Sequence, residues 1–111
     1  MVKNFEISYE EIEDILYIGI NEKVKFSIDL ALPSGDVVVD IGFDGLVKGI
    51  EIFNASKFFS ITDKDLKRIN DGDFKVIYNP SYAALSINLF KESQIIKSNI
   101  VIPYNKKTIL A

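Results

Sequence analysis

The chain has 111 residues, 48% hydrophobic and 26% charged, the balance of an ordinary folded globule of one domain, which argues against disorder. Its 13 basic and 16 acidic residues leave a net charge of −3, with Arg68 the sole arginine and no clustered basic face, so phosphate-driven nucleic-acid binding is not expected. Cysteine and histidine are absent, which removes disulfides, thiolate nucleophiles, thiolate or imidazole zinc sites and histidine acid–base catalysis.

Period-two alternation dominates the first third of the chain. Phe5, Ile7 and Tyr9 alternate with Asn4, Glu6 and Ser8, and a second strand carrying Ile15, Leu16, Tyr17 and Ile18 follows an acidic cluster. Val24, Phe26, Ile28, Leu30 and Leu32 alternate with Lys23, Lys25, Ser27, Asp29 and Ala31, the pattern of a strand with one wet face. Pro33-Ser34-Gly35-Asp36 reads as a turn.

Two further strands, Asp36–Phe43 and Leu46–Phe53, flank Asp44-Gly45 and predict a central hairpin over 36–53 whose two turn residues both take positive φ. That register sets Phe43 opposite Leu46, Ile41 opposite Lys48, Asp40 opposite Gly49 and Val38 opposite Glu51. Val37, Val39, Ile41, Ile50 and Ile52 then share a core face, while Asp36, Val38, Asp40, Gly49, Glu51 and Phe53 share the other.

Asn54–Phe59 reads as a short helical turn capped by Asn54, with Asn54 and Ser56 satisfying backbone donors. A helix about 63–70 follows, with Thr62 as its cap, Asp63 and Asp65 in its first turn, Leu66 and Ile69 as its apolar edge, and Asp71-Gly72 as its end. The remaining strands fall at Phe74–Asn79, Tyr82–Phe90 and Gln94–Ile102, with a turn at Asn79-Pro80-Ser81 and a short last strand at Thr108–Leu110.

An internal echo runs through this order. Phe5–Ile20 aligns with Phe74–Leu89 without a gap, matching Phe5 to Phe74, Tyr9 to Tyr78, Leu16 to Leu85 and Ile18 to Ile87. With one inserted residue, Val24–Pro33 falls on Gln94–Pro103, so residues 5–33 are echoed by 74–103. The fold expected is α+β and mainly β. Antiparallel sheets are built from two related units of three to five strands, with one or two short helices between them, in a single domain spanning 1–111.

Tyr9, Asp14-Ile15-Leu16-Tyr17-Ile18 and Gly49-Ile50-Glu51-Ile52-Phe53-Asn54-Ala55-Ser56-Lys57 together resemble the small-protein family catalogued as domain of unknown function 2283. The resemblance covers about residues 5–59, and the second half of the chain would be a divergent, partial second copy lacking the Gly-Ile-Glu-Ile hairpin. It implies a compact β-rich α+β fold and supplies no catalytic residue.

Several side-chain groups invite chemical readings. Asp40 and Glu51 are diagonal neighbours on the outer face of the hairpin, roughly 7–8 Å apart, a spacing that would suit inverting glycoside hydrolysis; two solvated charges on a sheet are the simpler account. Asp40, Asp44, Gly45 and Glu51 fall at positions one, five, six and twelve of a calcium loop, but Gly42 and Lys48 spoil the ligand set. Glu10, Glu11, Glu13 and Asp14 form an acidic cluster before the second strand, either solvated, facing a basic partner or holding a cation weakly. Ser56-Lys57 lacks the Ser-x-x-Lys spacing of an activated nucleophile. No catalytic, cofactor-binding or metal-binding residue is assigned on these grounds, and no cofactor is expected.

Apolar residues on both strand faces (Ile15, Tyr17, Val38, Phe53, Ile77 and Tyr82) call for cover by the helix, the second repeat or another chain. The function expected is a non-enzymatic protein-interaction or self-assembling module, as a homodimer or with one protein partner. One alternative is a partner-neutralising, antitoxin-like regulator whose acidic surface meets a basic partner; another is a carboxylate-based hydrolase or metal binder using Asp40 and Glu51. No basic start precedes an apolar stretch and no apolar run reaches membrane length, so a cytoplasmic location is expected. Abundant Ile and Lys with one Arg are compatible with an AT-rich or thermophilic source.

Overall fold

The computed structural model describes residues 4–103. It contains β1 (Phe5–Glu10), β2 (Ile15–Ile20), β3 (Val24–Leu32), β4 (Gly35–Gly42), β5 (Val47–Phe53), α1 (Ala55–Phe59), α2 (Asp63–Lys67), β6 (Asp71–Tyr78), β7 (Tyr82–Lys91) and β8 (Gln94–Pro103). The strands form two antiparallel sheets, five-stranded in the order β1-β2-β5-β4-β3 and three-stranded in the order β6-β7-β8, with the two short helices between them in sequence. Neither helix is long and apolar enough to cross a membrane. The strand expected at Thr108–Leu110 lies outside the described residues.

Alternation decides which side of each sheet is dry. Ile7, Ile18, Ile50, Val39 and Ile28 stand in one row across the five strands, and Leu16, Ile52, Val37 and Leu30 in the next. These residues meet Leu85, Ile87, Leu89, Ile100 and Ile102 of the second sheet and Ala55, Phe59, Leu66 and Ile69 from the helical segment in one buried cluster. At the seam, Phe5 and Phe74 pack edge to face with ring centroids 4.9 Å apart. Gly72 lets β6 come this close, since a Cβ there would approach the Cδ1 atoms of Ile18 and Ile7 at 3.2 and 3.3 Å.

The expected central hairpin forms, with a different turn. Only Gly45 takes a positive φ, at 82°. Its N–H donates to the Gly42 carbonyl at 3.0 Å, and the Gly42 N–H donates to the Leu46 carbonyl at 2.8 Å. Gly42 therefore meets Leu46 across a three-residue loop, with Phe43 inside it, in place of a two-residue turn with Phe43 opposite Leu46. Further along, Asp40↔Gly49 and Val38↔Glu51 pair as expected, whereas Ile41 pairs with Val47. The shift between Asp40 and Ile41 leaves Lys48 as the extra residue of a β-bulge.

Two boundaries also move. The second helix stops at Lys67, short of residue 70, with Arg68 as its C-cap. Asp71-Gly72 opens β6, whose pairing with Phe90 and Leu89 takes residues expected to end a helix into the sheet. Thr62 caps α2 as expected, accepting from the Asp65 N–H at 3.1 Å. Asn54 precedes α1 in a left-handed conformation and makes no side-chain cap bond.

The echoed hairpins β1-β2 and β6-β7 point the same residues inward, but Tyr9 pairs with Leu16 while Tyr78 pairs with Ala83, a two-residue difference in register. Their third strands differ in placement, because β8 pairs directly with β7 whereas β3 lies at the far edge of its sheet.

Candidate functional site

The site is built on the outer face of the five-stranded sheet, the side away from the second sheet. The elements that pack on this sheet, α1 against β4 and β5 and β6 against β1 and β2, lie on its core side. The pairing lays out the outer face as a grid. One row reads Glu6, Gly19, Gly49, Asp40 and Ser27; the next reads Ser8, Tyr17, Glu51, Val38 and Asp29. Beyond these, Glu10 faces Ile15, Ile15 faces Phe53, and Asp36 faces Ala31.

Tyr17 is the centre of this grid. Gly19 and Gly49 oppose one another beside it, and a Cβ on either would fall 2.1 or 2.8 Å from the Tyr17 hydroxyl oxygen. The ring therefore lies down along a floor of bare backbone instead of standing up from the sheet. Glu6, Asp40 and Glu51 approach from β1, β4 and β5. Burial raises the phenol's pKa, and the charges of Asp40, Glu6 and Glu51 add to that shift. Asp40 also accepts a 2.6 Å hydrogen bond from the Ser27 hydroxyl.

Six carboxylates (Glu6, Glu10, Asp29, Asp36, Asp40 and Glu51) occupy this face, and none belongs to an ion pair among the described residues. Between them stand Ile15, Val38 and Phe53, all half-buried with Tyr17. At one corner Asp29, Asp36, Val38 and Phe53 border an open hollow of about 370 Å³.

The bulge directs Lys48 to one end of this face. Its side chain, only 4% exposed, lies across Gly42 and donates to Glu22 at 2.6 Å and Asp44 at 2.8 Å. Hydrogen bonds to Asp44 and Glu22 raise its pKa against the opposing effect of burial. The Val47 N–H beside it is met at 3.0 Å by the Tyr78 hydroxyl, from the other sheet.

The other sequence candidates resolve differently. The hairpin register keeps Asp40 and Glu51 diagonal on an open sheet face. The calcium-loop spacing falls on strand–loop–strand, with Asp44 turned to Lys48. No group of three or more Asp and Glu residues that could hold a metal ion occurs among the described residues.

Asp14 stays in the acidic turn, but its carboxylate is engaged within the chain. At φ 55° it accepts from the Tyr9 hydroxyl at 2.6 Å, the Ser56 hydroxyl at 2.7 Å and the Ser56 N–H at 3.1 Å, while its carbonyl accepts from the Ala55 N–H. It supplies the cap that Asn54 does not, and Ser56 is donor, not acceptor. Tyr9, Asp14, Ala55 and Ser56, all parts of the motifs quoted above, are thereby one structural fastening between the β1-β2 turn and α1. Of the residues with apolar character on both faces, Ile77 and Tyr82 stand 53% and 39% exposed on the three-stranded sheet.

No solved structure matches the chain. A Methanosarcina mazei protein named "Putative hypoxanthine phosphoribosyltransferase" is 33% identical over 69 residues, which cover 62% of this chain and 52% of that protein. The match thus spans about half the length of that relative. Residues 6–56, in the first half of the chain, match the model of the family described as "Protein of unknown function (DUF2283)", consistent with the resemblance carried by the sequence motifs.

Proposed function

We propose that this protein is a non-enzymatic interaction module that binds another protein chain through the outer face of its five-stranded sheet. The observation that supports this is the mixture on that face: half-buried Tyr17, Ile15, Phe53 and Val38 interleaved with six carboxylates that have no ion-pair partner among the described residues. A surface kept only for solvation has no use for aromatic and branched residues at its centre, whereas an interface uses them as anchors. The phosphoribosyltransferase activity named for the archaeal relative is not carried over, since the match spans only about half of that protein.

The test is affinity capture of the tagged chain from the source lysate, beside light scattering of the purified protein. The expected result is one protein recovered in equal amount with the wild type and lost with Val38→Ser, whose melting temperature shows that it folds. A monomer that recovers nothing, or a complex indifferent to Val38→Ser, overturns the reading.

A further inference from the structure

The face just described carries more information than that something binds. Its grid holds six carboxylates, yet the whole chain has a net charge of only −3. The ion pairs among the described residues lie elsewhere: Lys48 with Glu22 and Asp44, Lys67 with Glu11 and Lys91 with Asp65. Placing these like charges across one sheet is unfavourable in the free protein, because the diagonal neighbours Asp40 and Glu51, and Asp29 and Asp36, repel. A cationic surface laid on this face removes that repulsion as it docks.

Tyr17 narrows the chemistry further. Its hydroxyl end rests over Gly19 and Gly49, and the half-buried ring keeps part of its surface open to solvent. Glu6 faces Gly19, Asp40 faces Gly49 and Glu51 faces Tyr17 itself, so carboxylates stand around the ring on three neighbouring strands. An ammonium group is compact and strongly hydrated, whereas a guanidinium is planar and less hydrated. The guanidinium stacks on an aromatic face while its edge donors reach carboxylates at the sides.

We infer that a basic segment of a partner protein docks on this face, with an arginine guanidinium stacked on the Tyr17 ring and its N–H groups directed to Glu6, Asp40 and Glu51. This rests on the interaction-module reading and names the partner's chemistry. The hollow beside Phe53, bordered by Asp29 and Asp36, receives a second basic side chain of the same segment. Nucleic acid is repelled by the same carboxylates.

The experiment uses the full chain and three nine-residue peptides, of arginine, lysine and glutamate, titrated by fluorescence anisotropy at low and high salt. The arginine peptide is expected to bind more tightly than the lysine peptide, the glutamate peptide not at all, and raised salt to weaken both complexes. Tyr17→Leu, which keeps the face apolar, is expected to lower arginine-peptide affinity about fivefold and to bring it to the lysine level. Asp40→Asn with Glu51→Gln is expected to weaken binding more than Glu13→Gln with Glu92→Gln, which removes the same charge elsewhere.

Equal weakening by the two double variants, or an unaltered arginine preference in Tyr17→Leu, overturns the proposal. So does a self-complex abolished by Arg68→Gln, because the occupant would then be a second copy. A captured partner whose complex is indifferent to salt and to Tyr17→Leu but lost with Val38→Ser leaves the module reading standing while removing the cationic one. Loss of capture in every arm removes the module reading itself.

Discussion

Asp14 shows how much one side chain can organise. It sits in a left-handed turn that aspartate tolerates, and its carboxylate joins β1 through Tyr9 to α1 through Ser56. Burial opposes its charge, but the hydrogen bonds from Tyr9 and Ser56 hold its pKa below the usual carboxylate value. Because the folded value is depressed, the stabilisation is present above about pH 3.9 and is lost as pH falls through the folded value. Asp14→Ala removes a helix cap and leaves the Tyr9 hydroxyl short of a partner, so a loss of about 2–3 kcal/mol in urea unfolding at pH 7 is expected. Asp14→Asn, which keeps an acceptor and tolerates the backbone, should lose less and flatten the acid limb. If Asp14→Ala unfolds at the wild-type urea midpoint, the fastening is ornamental. Tyr17 offers an independent check on the outer face. Asp40→Asn should lower its titration toward the ordinary tyrosine value of about 10, read by ultraviolet absorbance, and an unmoved midpoint would detach the ring from that carboxylate.

At the scale of elements, the β4-β5 hairpin separates what a local pattern can specify from what it cannot. Alternation placed Asp40 opposite Gly49 and Val38 opposite Glu51, and the structure agrees, because a one-residue slip would turn Val39 and Ile50 out to water. The bulge at Lys48 was not legible. It depends on a three-residue loop, on Gly42 making room for the lysine stem, and on the Tyr78 hydroxyl from 31 residues away meeting the Val47 N–H. The cap of α1 was hidden for the same reason, since its acceptor lies 42 residues upstream. The Tyr17 seat was readable only in part: Tyr17 was recognised as apolar on a second face, but its glycine floor needs Gly19 and Gly49 from different strands. For Lys48, Glu22 and Asp44 are half-exposed, so both rehydrate when it is removed. Lys48→Met should therefore lie within about 1 kcal/mol of wild type at pH 7. Its raised pKa contributes stability that is complete below the ordinary lysine value and is lost as pH rises through the folded value. That alkaline limb should disappear in Lys48→Met, and its persistence would assign it to another group.

For the whole molecule, the question is whether two sheets of different topology behave as one cooperative unit. Their register and strand order differ, yet the echoed strands β1 and β6 meet, and Phe5 packs on Phe74, its counterpart in the echo. Neither sheet has a second apolar layer of its own: the inner face of each is covered by the other and by Ala55, Phe59, Leu66 and Ile69. A three-stranded sheet of this size, stripped of that cover, exposes Leu85, Ile87 and Leu89 together and has little independent stability. The expectation is therefore one unfolding unit across both sheets. Phe74→Ala at the half-buried seam should lower stability by about 2–3 kcal/mol. In native-state hydrogen exchange, the slowest amides of β2, β5 and β7 should all lose protection by the same amount. A loss confined to β6, β7 and β8 would show instead that the five-stranded sheet, with the fastening and the outer face it carries, holds without its neighbour.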